Sequence, residues 1–285
     1  MRKCVLLLPE IEKQQIWKKK GFENIYDYAR QLAGMSQHTV NEALWVLKKI
    51  EDKPELLKVV EEKGLNAVRP VASIVNEENA SFWAEKASQM SNHTLRTYVK
   101  EINKESKRLE TWDVPEFQSV KATITMELDP EIADQLNKLK GSGDFNTLMK
   151  EFLELRKQKL ESTKPEAVEA TSRHLPVKIE RHVLHKTNGT CAFPGCNKPS
   201  EILHHTDRFA MYGVHDPEKI VALCEAHERL AHLGLIENEN LEPRFWKIKK
   251  HADENDPKYE IDMIVEKFRD PKWLEKKQKV LISML

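Results

Sequence analysis

Four side chains that favour soft metals fall in two close pairs late in the chain: Cys191-x4-Cys196, which encloses Pro194-Gly195, and Cys224-x2-His227. A proline-glycine turn can bend the backbone until two thiolates face one ion, and the second pair supplies the other two ligands. A Cys3His set of this kind fits a closed tetrahedral zinc site. No other feature limits the fold so tightly, because residues far apart in sequence must converge on one ion. Cys4 stands apart from the cluster. An odd group of three cysteines beside histidines suits a reduced metal-binding site better than disulfides, and favours the cytoplasm.

The second pair lies in VALCEAHERLAHLG, Val221 to Gly234, which reads as one helix closed by a C-terminal glycine. Its potential ligands are too many for one metal. Cys224 and His227 are three apart and share a helix face, whereas Glu228 and His232 are four apart and share another. At about 100° per residue those faces lie roughly a quarter-turn apart. One helix can therefore carry half of a structural zinc site and half of a second site, which His204 or His205 can complete from elsewhere.

With Arg181-x-x-Leu184 before Gly189-x-Cys191, the Pro-Gly-Cys turn, His204-His205 and the Cys-x2-His helix, the stretch from Arg173 to about Gly234 resembles the HNH endonucleases, in particular their zinc-stapled ββα-metal branch. The resemblance implies that His204 ligates a catalytic divalent metal together with Glu228 and His232, and that His205 is the general base. Glu228 stands where many members have histidine, and favours magnesium or manganese as the ion. Lys219 stands where the family has its central asparagine. Lysine has no acceptor with which to hold an imidazole N–H or a loop amide, though its ammonium can contact a phosphate. Arg208 and His215 follow the histidine pair, where a cation could hold the scissile phosphate; otherwise they are solvated loop residues. His182 and His185 read as surface residues of the preceding basic helix.

The rest of the chain reads as mainly α. Over residues 1–110 apolar residues recur at helical spacing. An internal repeat aligns YARQLAGMSQHTVNEAL, from Tyr28, with WAEKASQMSNHTLRTYV, from Trp83. Serine and threonine there cap a second helix after a tight turn, so each copy reads as helix, turn, helix. Such a unit can present its second helix to a DNA major groove, or simply pack against its copy. His38 and His93 read as turn and packing residues. Residues 118–160 predict a strand through Ala122, Ile124 and Met126, a helix from Asp129-Pro130, a break at Gly141 to Gly143 and a second helix. That order resembles a ribbon-helix-helix unit, which implies a homodimer made by strand pairing. Residues 161–172 read as a polar linker. Residues 237–285 form a C-terminal extension, with Trp246 and Trp273 as packing anchors.

The amino terminus is neither a secretory signal nor a membrane span. Among 285 residues, 46 are basic and 46 acidic, so net charge gives no argument for nucleic acid, and any basic surface is local. The expectation is a DNA endonuclease acting on double-stranded DNA, with structural zinc and catalytic magnesium or manganese. The alternatives are a DNA-binding or regulatory protein that keeps the zinc-stapled module as a scaffold, and a zinc-stabilised interaction module with no nucleic-acid partner.

Overall fold

The computed structural model describes residues 2–110, 124–141 and 143–269. The chain divides into two compact units, Met1–Ser106 and Lys107–Leu285, and it is mainly helical with small two-stranded sheets. Among the described residues, no helix is long and apolar enough to cross a membrane.

The first unit is built from α1 (Arg2–Leu6), α2 (Leu8–Lys13), α3 (Ile16–Lys19), α4 (Ile25–Ala33), α5 (Gln37–Ile50), α6 (Pro54–Lys63), α7 (Leu65–Val68), α8 (Ala80–Gln89) and α9 (Asn92–Glu110). The two sequence copies form α4–turn–α5 and α8–turn–α9. Ser36 and Ser91 each accept the backbone N–H three residues on, from Thr39 and Thr94, both at 3.2 Å. These bonds satisfy an amide that would otherwise lack a partner at the start of α5 and α9. Behind the caps the matched residues Ala29 and Ala84, Met35 and Met90, and Val40 and Leu95 are all buried. His38 and His93 are exposed on the first turn of the second helices. The copies differ at the turn: Gly34 ends α4 at φ 65, a left-handed conformation suited to glycine, whereas Met90 leaves α8 in an extended one.

In the second unit, α10 (Pro130–Lys140) and α11 (Phe145–Ser162) precede β1 (Val168–Glu169) and α12 (Val177–Thr187). Then come β2 (Ile202–His205), α13 (Phe209–Tyr212), β3 (Val214–His215), β4 (Ile220–Leu223), α14 (Glu225–His232), β5 (Ile236–Glu237), β6 (Lys247–Ile248) and α15 (Pro257–Arg269). β2 and β4 pair antiparallel, with His204 opposite Val221 and His205 opposite Ile220. Ile179 and Val183 of α12 are four apart, so they share a face and bury Ile220 and Ala222 of β4 beneath them.

Three sequence expectations are corrected, and a fourth, the strand of the ribbon-helix-helix-like segment, calls for a second copy of the chain. The helix over Val221 to Gly234 begins only at Glu225, because Ile220–Leu223 is a strand held by β2. The linker over 161–172 is partly ordered: α11 runs to Ser162, and Val168 and Glu169 pair with His215 and Val214. Residues 124–129 form no strand in the single chain, where they have no partner strand; Ala122, Thr123 and Trp273 lie outside the described residues. His182 lies on the buried face of α12 rather than at the surface, while His185 is exposed.

Candidate metal centres

The first centre forms where the segment after α12 meets the start of α14. The sulfurs of Cys191, Cys196 and Cys224 and one ring nitrogen of His227 all lie within 4.8 Å of one another. Gly195, at φ 70, lets the chain turn so that the Cys196 N–H reaches the Phe193 carbonyl at 3.0 Å, which brings the first two thiols together. Cys224 is the extended N-cap of α14, not a residue within it, and its sulfur sits at the positive end of the helix. His227 Nδ1 lies 3.4 Å from Cys191 Sγ and 3.3 Å from Cys224 Sγ, and the Phe193 ring stacks on the imidazole at 4.1 Å.

The donor set fits a zinc ion. Three unoxidised thiols packed together cannot all ionise unless a positive charge joins them. A hydrogen bond from Cys191 holds the Cys224 thiol down at about 3 and drives Cys191 up. His227 Nε2 is buried with no hydrogen-bond partner among the described residues, so Nδ1 is the nitrogen aimed at the ion. Cys191, Cys196, Cys224 and His227 thus form a group that could hold a metal such as zinc.

The second centre opens on a cavity of about 230 Å³ lined by residues of β2, α14 and α15. Ligand atoms of His204, Glu228 and His232 lie within 4.8 Å of one another. Glu228 and His232 are one turn apart on α14 with Glu228 Oε1 3.2 Å from His232 Nε2, and β2 carries His204 alongside. Burial is the main reason that the His204 pKa is lowered. Its Nε2 lies 2.7 Å from Glu239 Oε1, which only accepts, and 3.1 Å from Arg208 Nη1, which only donates; the shorter contact places the proton on Nε2, and a neutral ring then keeps its lone pair on Nδ1. His232 Nδ1 lies 2.8 Å from Asp262 Oδ1. Burial pulls the His232 pKa down, but bonds to Asp262 and Glu228 outweigh it and leave the pKa raised. A cation seated between Glu228 and His232 would take the place of that proton, so these donors also fit a metal ion.

His205 lies beside this group on the same cavity wall. Its Nε2 is 3.0 Å from His215 Nδ1, and His215 Nε2 is 3.0 Å from the carbonyl oxygen of Ser172. A carbonyl only accepts, so His215 donates through Nε2 and, when neutral, accepts through Nδ1. His205 must then donate from Nε2, which leaves the lone pair on its Nδ1. Burial, followed by the neighbouring His215, lowers the His205 pKa to about 4. His215 is fully buried, contrary to the reading of a solvated loop residue or a phosphate contact.

Arg208 is corrected as well. It is 4% exposed, and both of its available faces are taken. Nε and Nη2 each lie 2.8 Å from Asp262, Nη1 lies 2.6 Å from Glu239, and the carbonyls of His205 and Ala231 accept at 3.0 and 3.3 Å. Burial would lower its pKa, but the bonds to Asp262 and charge of Glu239 raise it. The same environment holds Glu239 at about 2: burial opposes the shift, while the His204 bond and the Arg208 charge outweigh it. Arg208 is therefore a structural hub, not a free phosphate clamp. Lys219 lies outside this cavity and lines another with Glu218 and Pro243, its ammonium 3.5 Å from Asp207. Its backbone oxygen accepts the Thr206 N–H at 2.8 Å, so it ties β2 to β4 through the main chain.

Asp262, Glu239 and the Ser172 carbonyl have no counterpart among the sequence expectations. Glu239 and Asp262 fall in what reads as a featureless extension, at spacings that form no motif, and a backbone oxygen leaves no trace in residue type.

No family model matches this chain, and neither a curated protein nor a solved structure matches it.

Proposed function

We propose that the protein is a metal-dependent DNA endonuclease of the HNH type, in which a zinc-stapled ββα module hydrolyses phosphodiester bonds. The observation that carries this reading is the placement of His205, with its Nδ1 lone pair free, on the wall of the cavity that gathers His204, Glu228 and His232. That arrangement provides a base beside a seat for a hard divalent cation, magnesium or manganese.

In the proposed reaction His205 Nδ1 takes a proton as a water oxygen bonds to phosphorus, and the bond from phosphorus to the 3′ oxygen breaks, with solvent protonating the leaving oxygen. A divalent ion held by His204, Glu228 and His232 would supply positive charge for the pentacovalent phosphorus and the leaving group. His215 fixes the tautomer of the base. Glu239 and Asp262 orient His204 and His232 by accepting from their outward nitrogens, a common arrangement around metal-ligating histidines.

The testing experiment is plasmid nicking with magnesium, manganese, nickel and zinc, beside a His205→Ala control. The expected result is metal-dependent nicking that falls by roughly a hundredfold or more in the variant. A wild type that nicks with none of the four metals would overturn the reading. The module would then be a scaffold in a DNA-binding or regulatory protein. The sequestered Arg208 and the outlying Lys219 side chain favour that second reading, because neither is available to hold a phosphate in the cavity, where Arg173 is the remaining cation among the described lining residues.

A further inference from the structure

Away from both centres, α11 and α12 face each other across a groove of about 1100 Å³. On α11, Arg156 and Lys159 follow helical spacing along one face, continued by the C-cap Thr163, and on α12, Lys178, Arg181 and His185 do the same. Among the described residues, no acidic side chain lines this groove. Glu161 and Glu218, which do not line the groove, are engaged by Lys164 at 3.2 Å each. Among the described residues Lys159, Lys178 and Arg181 make no ion pair and are exposed. Arg156 latches the two helices, its Nη2 donating to the His185 carbonyl at 3.1 Å and to Asn188 Oδ1 at 2.6 Å.

Cations on two facing helices repel one another, and a chain with 46 basic and 46 acidic residues has carboxylates enough to neutralise them. Here the groove lining leaves them unneutralised. Each row spans seven residue steps, about 10 Å at the helical rise, which matches roughly three phosphate steps along one strand. The groove and the catalytic cavity share no lining residue, but Leu175 of the cavity lies three residues before Lys178 of the groove.

We infer that the α11–α12 groove is a binding site for the phosphodiester backbone of duplex DNA, which holds the strand that enters the His205 cavity. The inference rests on the proposed nuclease reading for its substrate, but not for its test. Lys159, Lys178 and Arg181 pair with phosphates and release counterions without reading sequence, so the site supplies salt-dependent affinity rather than specificity.

The test is fluorescence anisotropy of a labelled duplex with the full zinc-loaded chain, without added divalent metal, over a range of salt concentrations. The triple variant Lys159→Gln, Lys178→Gln, Arg181→Gln should bind more weakly, and the slope of log affinity against log salt should shrink by roughly three. A control that changes the exposed Lys138, Lys150 and Lys157, which line no part of the groove, should leave the slope unchanged. Circular dichroism and zinc content report folding, and the single exposed change Lys178→Glu gives the same readout should the triple variant misfold. A wild type that does not bind the duplex, or a triple variant with an unchanged slope, overturns the groove. If the slope shrinks as expected while the wild type nicks with no metal, the groove stands and the nuclease reading falls. If the wild type nicks and the slope does not change, the reverse holds.

Discussion

Nε2 of His205 and Nδ1 of His215 lie 3.0 Å apart, and the outer nitrogen of His215 is fixed by the Ser172 carbonyl. The pair links the proposed base on β2 to the segment that follows β1, and its direction is set by one group that can only accept. Removing His215 should free His205 to exchange tautomers. His215→Ala is expected to lower nicking by about 10- to 100-fold, the range for losing a partner of this kind. His215→Asn, whose amide can both accept and donate, should keep more of the activity. Nitrogen NMR of the His205 ring separates this from general loosening: the wild type should show a proton on Nε2 and His215→Ala a mixture. An unchanged tautomer in His215→Ala would sink the idea.

Asp262 carries the second long-range link, receiving Arg208 through two bonds while holding His232 Nδ1. It is 1% exposed, so its charge meets the guanidinium away from bulk solvent. Asp262→Ala leaves a buried guanidinium half unpaired and should cost about 3 to 5 kcal/mol in chemical denaturation. The double variant Arg208→Met with Asp262→Leu should recover much of that loss, since no buried charge is left without its partner. Equal stability of Asp262→Ala and wild type would show that Arg208 is not the hub described.

The zinc-type centre ties the turn after α12 to the N-cap of α14, so its loss should act on one unit alone. The purified protein is expected to hold about one tightly bound zinc per chain. Chelation or Cys191→Ser should melt the segment from Arg173 to Gly234, because a metal that assembles its own site contributes its binding energy to folding. The helices of residues 2–110 should keep their ellipticity. Metal analysis that finds no zinc in a folded, reduced protein would remove the centre.

The metal-type clusters are legible in the sequence because their ligands obey local geometry. Cys191 and Cys196 flank one glycine turn, and Glu228 and His232 are a helical turn apart. The same reasoning misplaced Cys224, since ligand spacing does not distinguish the first residue of a helix from the residue that caps it. It took 161–172 for a linker because polar composition does not disclose that Val168 and Glu169 are held by the edge of β3. Asp262 and Glu239 could not be found from spacing, because their partners lie 54 and 31 positions away and are chosen by tertiary packing.

Residues 124–155 expose large apolar side chains, with Ile124 at 79%, Met126 at 59%, Leu139 at 63% and Leu153 at 66%. Leu148 is the buried residue of α10 and α11. Patches of this kind mark interaction surfaces. If residues 124–128 pair with the same segment of a second copy, as the ribbon-helix-helix resemblance implies, the apolar row gains a partner. The protein should then be a dimer by light scattering, and Ile124→Pro should be monomeric because proline removes a ladder donor. A wild type that stays monomeric at high concentration would exclude that pairing.

Glu228 and Lys219, the two departures from the HNH pattern that the sequence resembles, should respond differently to metal and to substitution. Glu228 is the carboxylate of the group it forms with His204 and His232, so Glu228→Ala should weaken metal binding, and excess manganese should partly restore nicking. His205→Ala removes the base and leaves the ligands, so the same manganese should not rescue it. Lys219 holds Thr206 only through its backbone oxygen, which any residue provides, and its ammonium faces Asp207 outside the cavity. Lys219→Asn should therefore leave stability within about 0.5 kcal/mol of wild type, as expected of a half-exposed substitution that disturbs no buried contact. In the nicking assay the outcome separates two roles for the position. A gain shows that an amide there improves the site, whereas a loss of several-fold or more shows that the ammonium contacts the DNA backbone despite its resting pair with Asp207. A lysine with no part in the reaction predicts neither.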